Sequence, residues 1–134
     1  IISSEISATY RPSKYFRLKG SHAYYITSNS ESDTRPHTLT AKVEYVEQSE
    51  LKYLPNIILS GKWVSGSDIY EEKDTFTHYA PYSIWRLQLS KKLPYHFVVN
   101  AGIDNLFDYV TPTTSFYSSI TPGRTYFVGL KWNL

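Results

Sequence analysis

The sequence lacks cysteine and methionine altogether among its 134 residues. Without cysteine, disulfide bonds and thiol chemistry are excluded, although the compartment is not fixed. Because position 1 is not methionine and no signal-peptide pattern follows, we expect a piece of a longer protein or a processed product. No apolar run approaches the roughly twenty residues that a membrane-spanning helix needs. The formal charge of +2 is too small to indicate a nucleic-acid partner.

Aromatic residues are abundant instead, at 16% of the chain with 13 tyrosines. Tyrosine suits positions that are half apolar and half wet, because its ring is apolar and its hydroxyl seeks water. Apolar residues also recur at every second position, most clearly at the C-terminal end: Tyr126, Val128, Leu130, Trp132 and Leu134. A period of two predicts an extended strand with one apolar and one polar face.

The same alternation predicts seven strands in total, and no segment has a helical period. The predicted strands are residues 2–11, 16–26, 36–45, 57–64, 85–90, 97–104 and 125–134. Residues 66–79 are predicted to form a loop. The sequence therefore predicts an all-β protein of antiparallel strands.

The connections between the strands alternate, with short turns after the first and fifth strands, a moderate one after the third, and longer or more polar segments after the second, fourth and sixth. Aromatic residues gather near both ends of the strands, and charged residues such as Lys42, Glu44 and Arg86 lie in the middle of the polar faces. Outer-membrane barrels combine short turns on one side, long loops on the other, two aromatic belts and a wet interior. A soluble sandwich or lipocalin-like barrel also alternates apolar and polar residues and remains an alternative.

The motif Asn105-Leu106-Phe107-Asp108 follows the sixth predicted strand, and Pro122-Gly123-Arg124 begins the last one. This pair of motifs resembles the C-terminal end of TonB-dependent outer-membrane receptors. The resemblance implies an antiparallel transmembrane β-barrel of 22 strands around a plug domain. Residues 1–134 would be its last seven strands, incomplete alone, with the plug and earlier strands absent from this chain. The C-terminus would lie on the periplasmic side of the outer membrane of a Gram-negative bacterium.

The resemblance also assigns an architectural role to the motif residues. Asn105 and Asp108 carry short acceptors that can satisfy backbone donors where the strand gives way to a loop. Leu106 and Phe107 are expected to anchor that loop to the barrel. By the same resemblance, residues in the last strand and the turn before it serve barrel assembly: Gly123, Arg124, Gly129, Trp132 and Leu134. The chain departs from the family in ending on Leu134 rather than phenylalanine.

The activity that the resemblance implies is the energised uptake of a scarce, bulky ligand, such as an iron siderophore, haem, cobalamin or a glycan. The implied partners are the remaining barrel and plug, the TonB complex, outer-membrane lipid and the ligand. Four aromatic residues of the predicted loops are candidate ligand contacts: Tyr70, His78, Tyr79 and Tyr117. The competing interpretation is that they are ordinary loop and girdle residues.

No catalytic or cofactor motif appears in the sequence. It contains no Gly-x-Ser-x-Gly elbow and no phosphate-binding loop, so we expect no enzyme and no bound cofactor. The four histidines, at positions 22, 37, 78 and 96, lack a metal-ligand spacing. A small self-closing outer-membrane barrel is a further alternative to the receptor.

Overall fold

The computed structural model describes residues 2–26, 35–46, 54–71, 75–111 and 122–132. These residues form nine strands: β1 Ile2–Tyr10, β2 Phe16–Ile26, β3 His37–Tyr45, β4 Asn56–Val64, β5 Ser67–Glu71, β6 Thr75–Tyr79, β7 Tyr82–Lys92, β8 Phe97–Asp104 and β9 Thr125–Trp132. Seven of them form one antiparallel sheet in the order β1-β2-β3-β4-β7-β8-β9. The prediction of an all-β antiparallel fold with seven main strands is confirmed. In the part of the chain that the structure describes, no helix is long and apolar enough to span a membrane.

The prediction that residues 66–79 form a loop is wrong. Strands β5 and β6 pair there as an antiparallel hairpin outside the main sheet. Each strand has only five residues, which is too short for an alternating pattern to stand out. The aromatic and β-branched residues Thr75, Phe76 and Thr77 favour a strand, but the acidic residues before them obscured that signal.

The register of the main sheet keeps every strand in phase with its neighbours. Directly opposite residues share a face of the sheet, and the apolar positions face one another at each junction: Ile2 and Ile26, Leu18 and Val43, Val43 and Leu59, Leu59 and Leu87, Leu87 and Ile103, Val99 and Leu130. We call this side the apolar face. The opposite side, the polar face, holds the charged positions of the main sheet except Lys91: Glu5, Arg17, Lys19, Lys42, Glu44, Lys62, Arg86, Lys92, Asp104 and Lys131. Lys91 lies on the apolar face, opposite Val99.

The apolar face is mostly exposed in β1, β2, β3 and β9 and half-exposed in β4, β7 and β8. The large apolar residues of the strands that remain exposed on it are Ile2, Ile6, Tyr10, Phe16, Leu18, Ile26, Leu39, Val43, Trp63, Tyr126, Val128, Leu130 and Trp132. Only Ala23 and Val64 are buried hydrophobic residues among those described, and both lie on the polar face. The described residues therefore contain no hydrophobic core of the ordinary kind, and the exposed patch is far larger than soluble monomers usually tolerate.

The sheet is open, because β1 and β9 each pair with a single neighbour among the described strands. Strands contact only their neighbours in the sheet. One end of the sheet, the short-turn end, carries the connections at residues 11–15, 46–55 and 93–96. The other end, the long-loop end, carries residues 27–36, 65–81 and 105–124. Residues 11–15 and 93–96 are shorter than every connection at the long-loop end, as predicted, whereas residues 46–55 span as many positions as residues 27–36.

A tryptophan lies directly over a glycine on the apolar face. Gly61 in β4 stands opposite Trp85 in β7, and a Cβ atom at position 61 would collide with the Trp85 indole ring. The missing side chain of Gly61 therefore provides the space that the indole occupies. Gly20 in β2 lies on the same face, but a Cβ atom there would meet only the Thr40 carbonyl oxygen, at 3.7 Å.

We expect the substitution Gly61→Val to lower the free energy of unfolding by about 1–3 kcal/mol, since the indole must move and neighbouring packing is strained. The matched control Gly20→Val should be neutral or slightly stabilising, because valine favours a strand and meets open space. Urea unfolding followed by tryptophan fluorescence measures both. Equal effects of the two substitutions would contradict the packing described for Trp85.

Candidate functional site

The motif after β8 folds into a turn, residues 105–109, at the long-loop end. Asn105 is buried, with 4% of its surface exposed, and its backbone has a positive φ of 53°. Its side-chain oxygen accepts the Tyr109 N–H at 2.8 Å. Its side-chain NH₂ group donates to the carbonyl oxygens of Tyr109 at 2.6 Å and of Pro122 at 3.1 Å. One amide therefore satisfies backbone groups on both sides of the connection from β8 to β9.

Asp108 makes the second link between this turn and β9. Its backbone N–H donates to the Asn105 carbonyl at 2.8 Å, and its carboxylate accepts the Arg124 N–H at 2.6 Å. A Cβ atom at Gly123 would lie 3.0 Å from that carboxylate, so glycine allows the close approach. The predicted bonding of Asn105 and Asp108 to backbone donors is confirmed.

Leu106 and Phe107 attach the same turn to β7. The Leu106 N–H donates to the Trp85 carbonyl oxygen at 2.8 Å. The Phe107 ring meets the Trp85 indole edge to face, with ring centres 6.4 Å apart. Phe107 nevertheless remains 67% exposed, so it contacts the sheet without being enclosed by it.

Arg35, which the sequence did not single out, joins three further segments at the long-loop end. Its guanidinium donates to the carbonyl oxygens of Ser65 at 3.1 Å and Ala80 at 3.3 Å, on either side of the β5–β6 hairpin. It also lies over the Tyr82 ring, 5.0 Å from the ring centre, which is a favourable cation–π arrangement. These partners are 30 and 45 residues away in sequence, so no local pattern could have revealed them.

The Arg35 contacts continue into the 105–109 turn. The Tyr82 ring stacks on the Tyr109 ring, with centres 4.9 Å apart and planes inclined by 10°, and Tyr109 is bonded to Asn105. Arg35, Tyr82, Tyr109 and Asn105 thus form one line of contacts, which we call the rim network. It connects the start of β3 with the start of β9 and orders the end of the sheet that carries the long connections.

Of the four residues predicted to face a ligand, the structure describes the side chains of His78 and Tyr79, and these two make separate contacts. His78 in β6 bonds Asp68 in β5 through its Nδ1 at 2.6 Å, and both side chains are largely exposed. Tyr79 lies 5.9 Å from the Arg35 guanidinium. The backbone of Tyr70 pairs with Phe76 in the hairpin, but its side chain lies outside the described set, as does all of Tyr117.

The residues predicted to serve barrel assembly are spread along β9. Gly123 and Arg124 lie beside Asp108 at the long-loop end. Among the residues that the structure describes, none has an atom within 4 Å of the position that a Cβ atom at Gly129 would take, its chain neighbours aside. Trp132 stacks on Phe97 at the short-turn end, with ring centres 5.9 Å apart. Leu134 lies outside the described residues.

The polar face carries ion pairs between neighbouring positions. Glu44 is buried and bonds Arg17 at 3.3 Å and Lys42 at 2.5 Å. Arg86 forms a two-bond pair with Asp104, in which the Nη2–Oδ2 distance is 3.0 Å. Lys62 makes no ion pair within the described part of the chain. The acidic groups are thus paired in place, while the basic side chains of these pairs stay partly exposed.

A concavity of about 240 Å³ lies beside the Arg86–Asp104 pair, where the polar face meets Asn105 and Gly123. It is open and smaller than the roughly 300–1,000 Å³ of a typical small-molecule site. The structure therefore shows no pocket here that would hold a bulky ligand. Within residues 2–26, 35–46, 54–71, 75–111 and 122–132, no group of three or more histidine, cysteine or acidic side chains is placed to hold a metal ion.

In comparisons with known proteins, no family model, no curated protein and no solved structure matches the chain. Function must therefore be inferred from the arrangement of the sheet and of the rim network.

Two substitutions of Asn105 separate the contribution of its side-chain hydrogen bonds from that of its backbone conformation at positive φ. We expect Asn105→Gly to lower the free energy of unfolding by about 1–3 kcal/mol, because the Tyr109 N–H loses its buried acceptor. Asn105→Ala should cost about 1 kcal/mol more, since alanine is strained at positive φ whereas glycine is not. Chemical denaturation measures both values.

The exposed neighbour Val110 supplies a control, and Val110→Ala should change the stability by less than about 0.5 kcal/mol. If Asn105→Gly lowered the free energy of unfolding as little as Val110→Ala, the buried hydrogen bonds of Asn105 would not be what stabilises the turn.

Proposed function

We propose that this chain forms part of the wall of a TonB-dependent outer-membrane receptor, with residues 1–134 as its C-terminal strands. Such a receptor takes up a scarce, bulky ligand, such as an iron siderophore, haem, cobalamin or a glycan, with energy supplied through the TonB complex. The observation that carries the proposal is the register, which aligns the apolar positions of seven strands on one face, mostly exposed in β1, β2, β3 and β9 and half-exposed in the strands between them.

The contrast between the two faces supports placement in a bilayer. A lipid-facing surface must be apolar across the hydrocarbon region, whereas the inner surface of a large barrel can be charged and wet. The apolar face carries exposed Val128 and Leu130, while the opposite face carries the Glu44 and Asp104 ion pairs. Contact with lipid on the apolar face accounts for its exposed apolar residues, and contact with water on the polar face accounts for its ion pairs.

Aromatic residues at the two ends of the apolar face support the same placement. At the short-turn end, Phe16 lies 5.1 Å from Tyr45 and Phe97 lies 5.9 Å from Trp132, measured between ring centres. At the long-loop end the aromatic residues on this face are Tyr24, Trp63, Trp85 and Tyr126. Aromatic rings of this kind gather at the two bilayer interfaces.

The open edges of β1 and β9 are the positions where the rest of the barrel would join. Unpaired backbone groups within a bilayer cost several kcal/mol each, so membrane-spanning sheets close on themselves. In the proposal, the remaining strands complete the hydrogen bonding of both edges, and the plug lies against the polar face. The 105–109 turn, through the bonds of Asn105 and Asp108, then positions the start of the closing strand β9.

Two adjacent residues of β9 test which face meets lipid. Val128 lies on the apolar face and is 81% exposed, and Gly129 follows on the polar face. In the full-length protein, we expect Val128→Lys to destabilise the membrane-assembled state by about 2–4 kcal/mol and Gly129→Lys by far less, because lysine is costly only where it faces hydrocarbon. Folding titrations in lipid vesicles measure both.

Val128→Lys would also destabilise a soluble sandwich that buried this face in its core. A second measurement therefore separates the sandwich from the membrane barrel. All three tryptophans, Trp63, Trp85 and Trp132, lie on the apolar face. Their fluorescence should be quenched by brominated lipid and shielded from iodide in water. A folded, monomeric protein in buffer without detergent, whose tryptophan fluorescence brominated lipid does not quench, would refute the membrane proposal.

The transport proposal is tested in Gram-negative cells that express the full-length protein, with and without TonB. The probes are radiolabelled ferric siderophore, haem, cobalamin and a maltooligosaccharide. We expect accumulation of one of them that requires both the protein and TonB and stops on adding a protonophore. Uptake that is equal without TonB would contradict energised transport, even if the membrane placement held.

A further inference from the structure

Two histidines that are well separated in sequence meet on the apolar face near the long-loop end. His22 of β2 lies opposite Leu39, and His37 of β3 lies opposite Tyr24, so the two histidines are diagonal neighbours across the strand pair. The Nε2 atom of His22 is 3.0 Å from the Nδ1 atom of His37. Their rings are nearly parallel, with centres 5.3 Å apart.

This distance between the nitrogens is compatible with joint coordination of one metal ion. Imidazole nitrogens bind Zn²⁺ at about 2.0–2.1 Å, and two such ligands at a tetrahedral or square angle lie about 3.0–3.4 Å apart. The two rings need only turn their lone pairs towards a common point. Imidazole is a preferred ligand of copper, nickel and zinc ions, and divalent copper generally binds most tightly.

The backbone at His37 is held in place before any ion arrives. Its N–H donates to the Ser65 hydroxyl at 3.0 Å, and its carbonyl oxygen accepts the Ser65 N–H at 2.9 Å. The Tyr24 ring lies against the His37 ring, with centres 4.7 Å apart. His37 itself is exposed and begins β3 at the level of Tyr24, among the aromatic residues that the proposed placement puts at the bilayer interface, so an ion reaches the pair from the water side. A fixed, accessible ligand loses little freedom on binding.

We propose that His22 and His37 form a two-imidazole site for a divalent transition-metal ion of the copper, nickel and zinc group. The ion bonds to Nε2 of His22 and Nδ1 of His37, and water completes its coordination. For this, the proton that the two nitrogens share moves to the other nitrogen of its own ring, so both rings stay neutral and no proton is released. This site is independent of the proposed transport activity.

The test uses the full-length protein in detergent micelles with Cu²⁺ as the probe. Electron paramagnetic resonance of the bound ion should show two coordinating nitrogens from the pair, and one in either His22→Gln or His37→Gln. Calorimetric titration should show that each variant binds Cu²⁺ at least about tenfold more weakly. Even the loss of a residue that only hydrogen-bonds to a metal ligand lowers metal affinity by about that factor. Bound Cu²⁺ should also raise the unfolding temperature of the unmodified protein by more than that of either variant.

Two further histidines provide matched controls. His96 lies in a turn at the other end of the sheet with φ 64°, where asparagine is tolerated, and His78 pairs with Asp68 in the hairpin. His96→Asn and His78→Gln should bind Cu²⁺ like the unmodified protein. Unchanged binding in both His22→Gln and His37→Gln, or loss that follows His78→Gln instead, would overturn the proposal. The metal-free unfolding curve of each variant shows that it is folded, and the two single variants test the site separately.

Discussion

The phase relation between neighbouring strands is the constraint on which the rest of this structure depends. Side chains alternate across a sheet, so a shift of one strand by one residue would exchange its apolar and polar faces. The register avoids this at all six junctions of the main sheet. At the long-loop end, the Asn105 and Asp108 bonds fix where β9 starts relative to β8, and Arg35 fixes β3 relative to the β5–β6 hairpin. Local side-chain chemistry thus maintains a global pattern.

That pattern leaves the stability of the fold dependent on its surroundings. With only Ala23 and Val64 buried among its described hydrophobic residues, the sheet gains little from an internal core. Covering the exposed apolar side chains would contribute about 1 kcal/mol for each half-covered residue, on the order of 10 kcal/mol in all. This is comparable to the entire net stability of an ordinary domain. Whatever covers the apolar face therefore contributes enough to decide whether the sheet is stable.

Sequence patterns predicted those features that depend on nearby residues. The seven long strands follow from alternation, and the roles of Asn105 and Asp108 follow from short acceptors placed at a strand end. The β5–β6 hairpin was missed because five-residue strands carry too little periodicity. The contacts of Arg35 with Ser65 and the meeting of His22 with His37 depend on the register between strands. That register is a property of the assembled sheet, and neither residue pair has a spacing that reveals it.

The restriction of contacts to adjacent strands has a consequence for cooperativity. A globular core couples every element to every other, whereas here each strand is coupled only to the next, as in a linear array of repeats. A weakened junction, such as one between β4 and β7, would divide the sheet into two blocks that open separately. Opening free energies would then be highest in central strands and lowest in β1 and β9. Strands added at the two edges until the sheet closes would turn this linear array into a ring in which no strand is terminal.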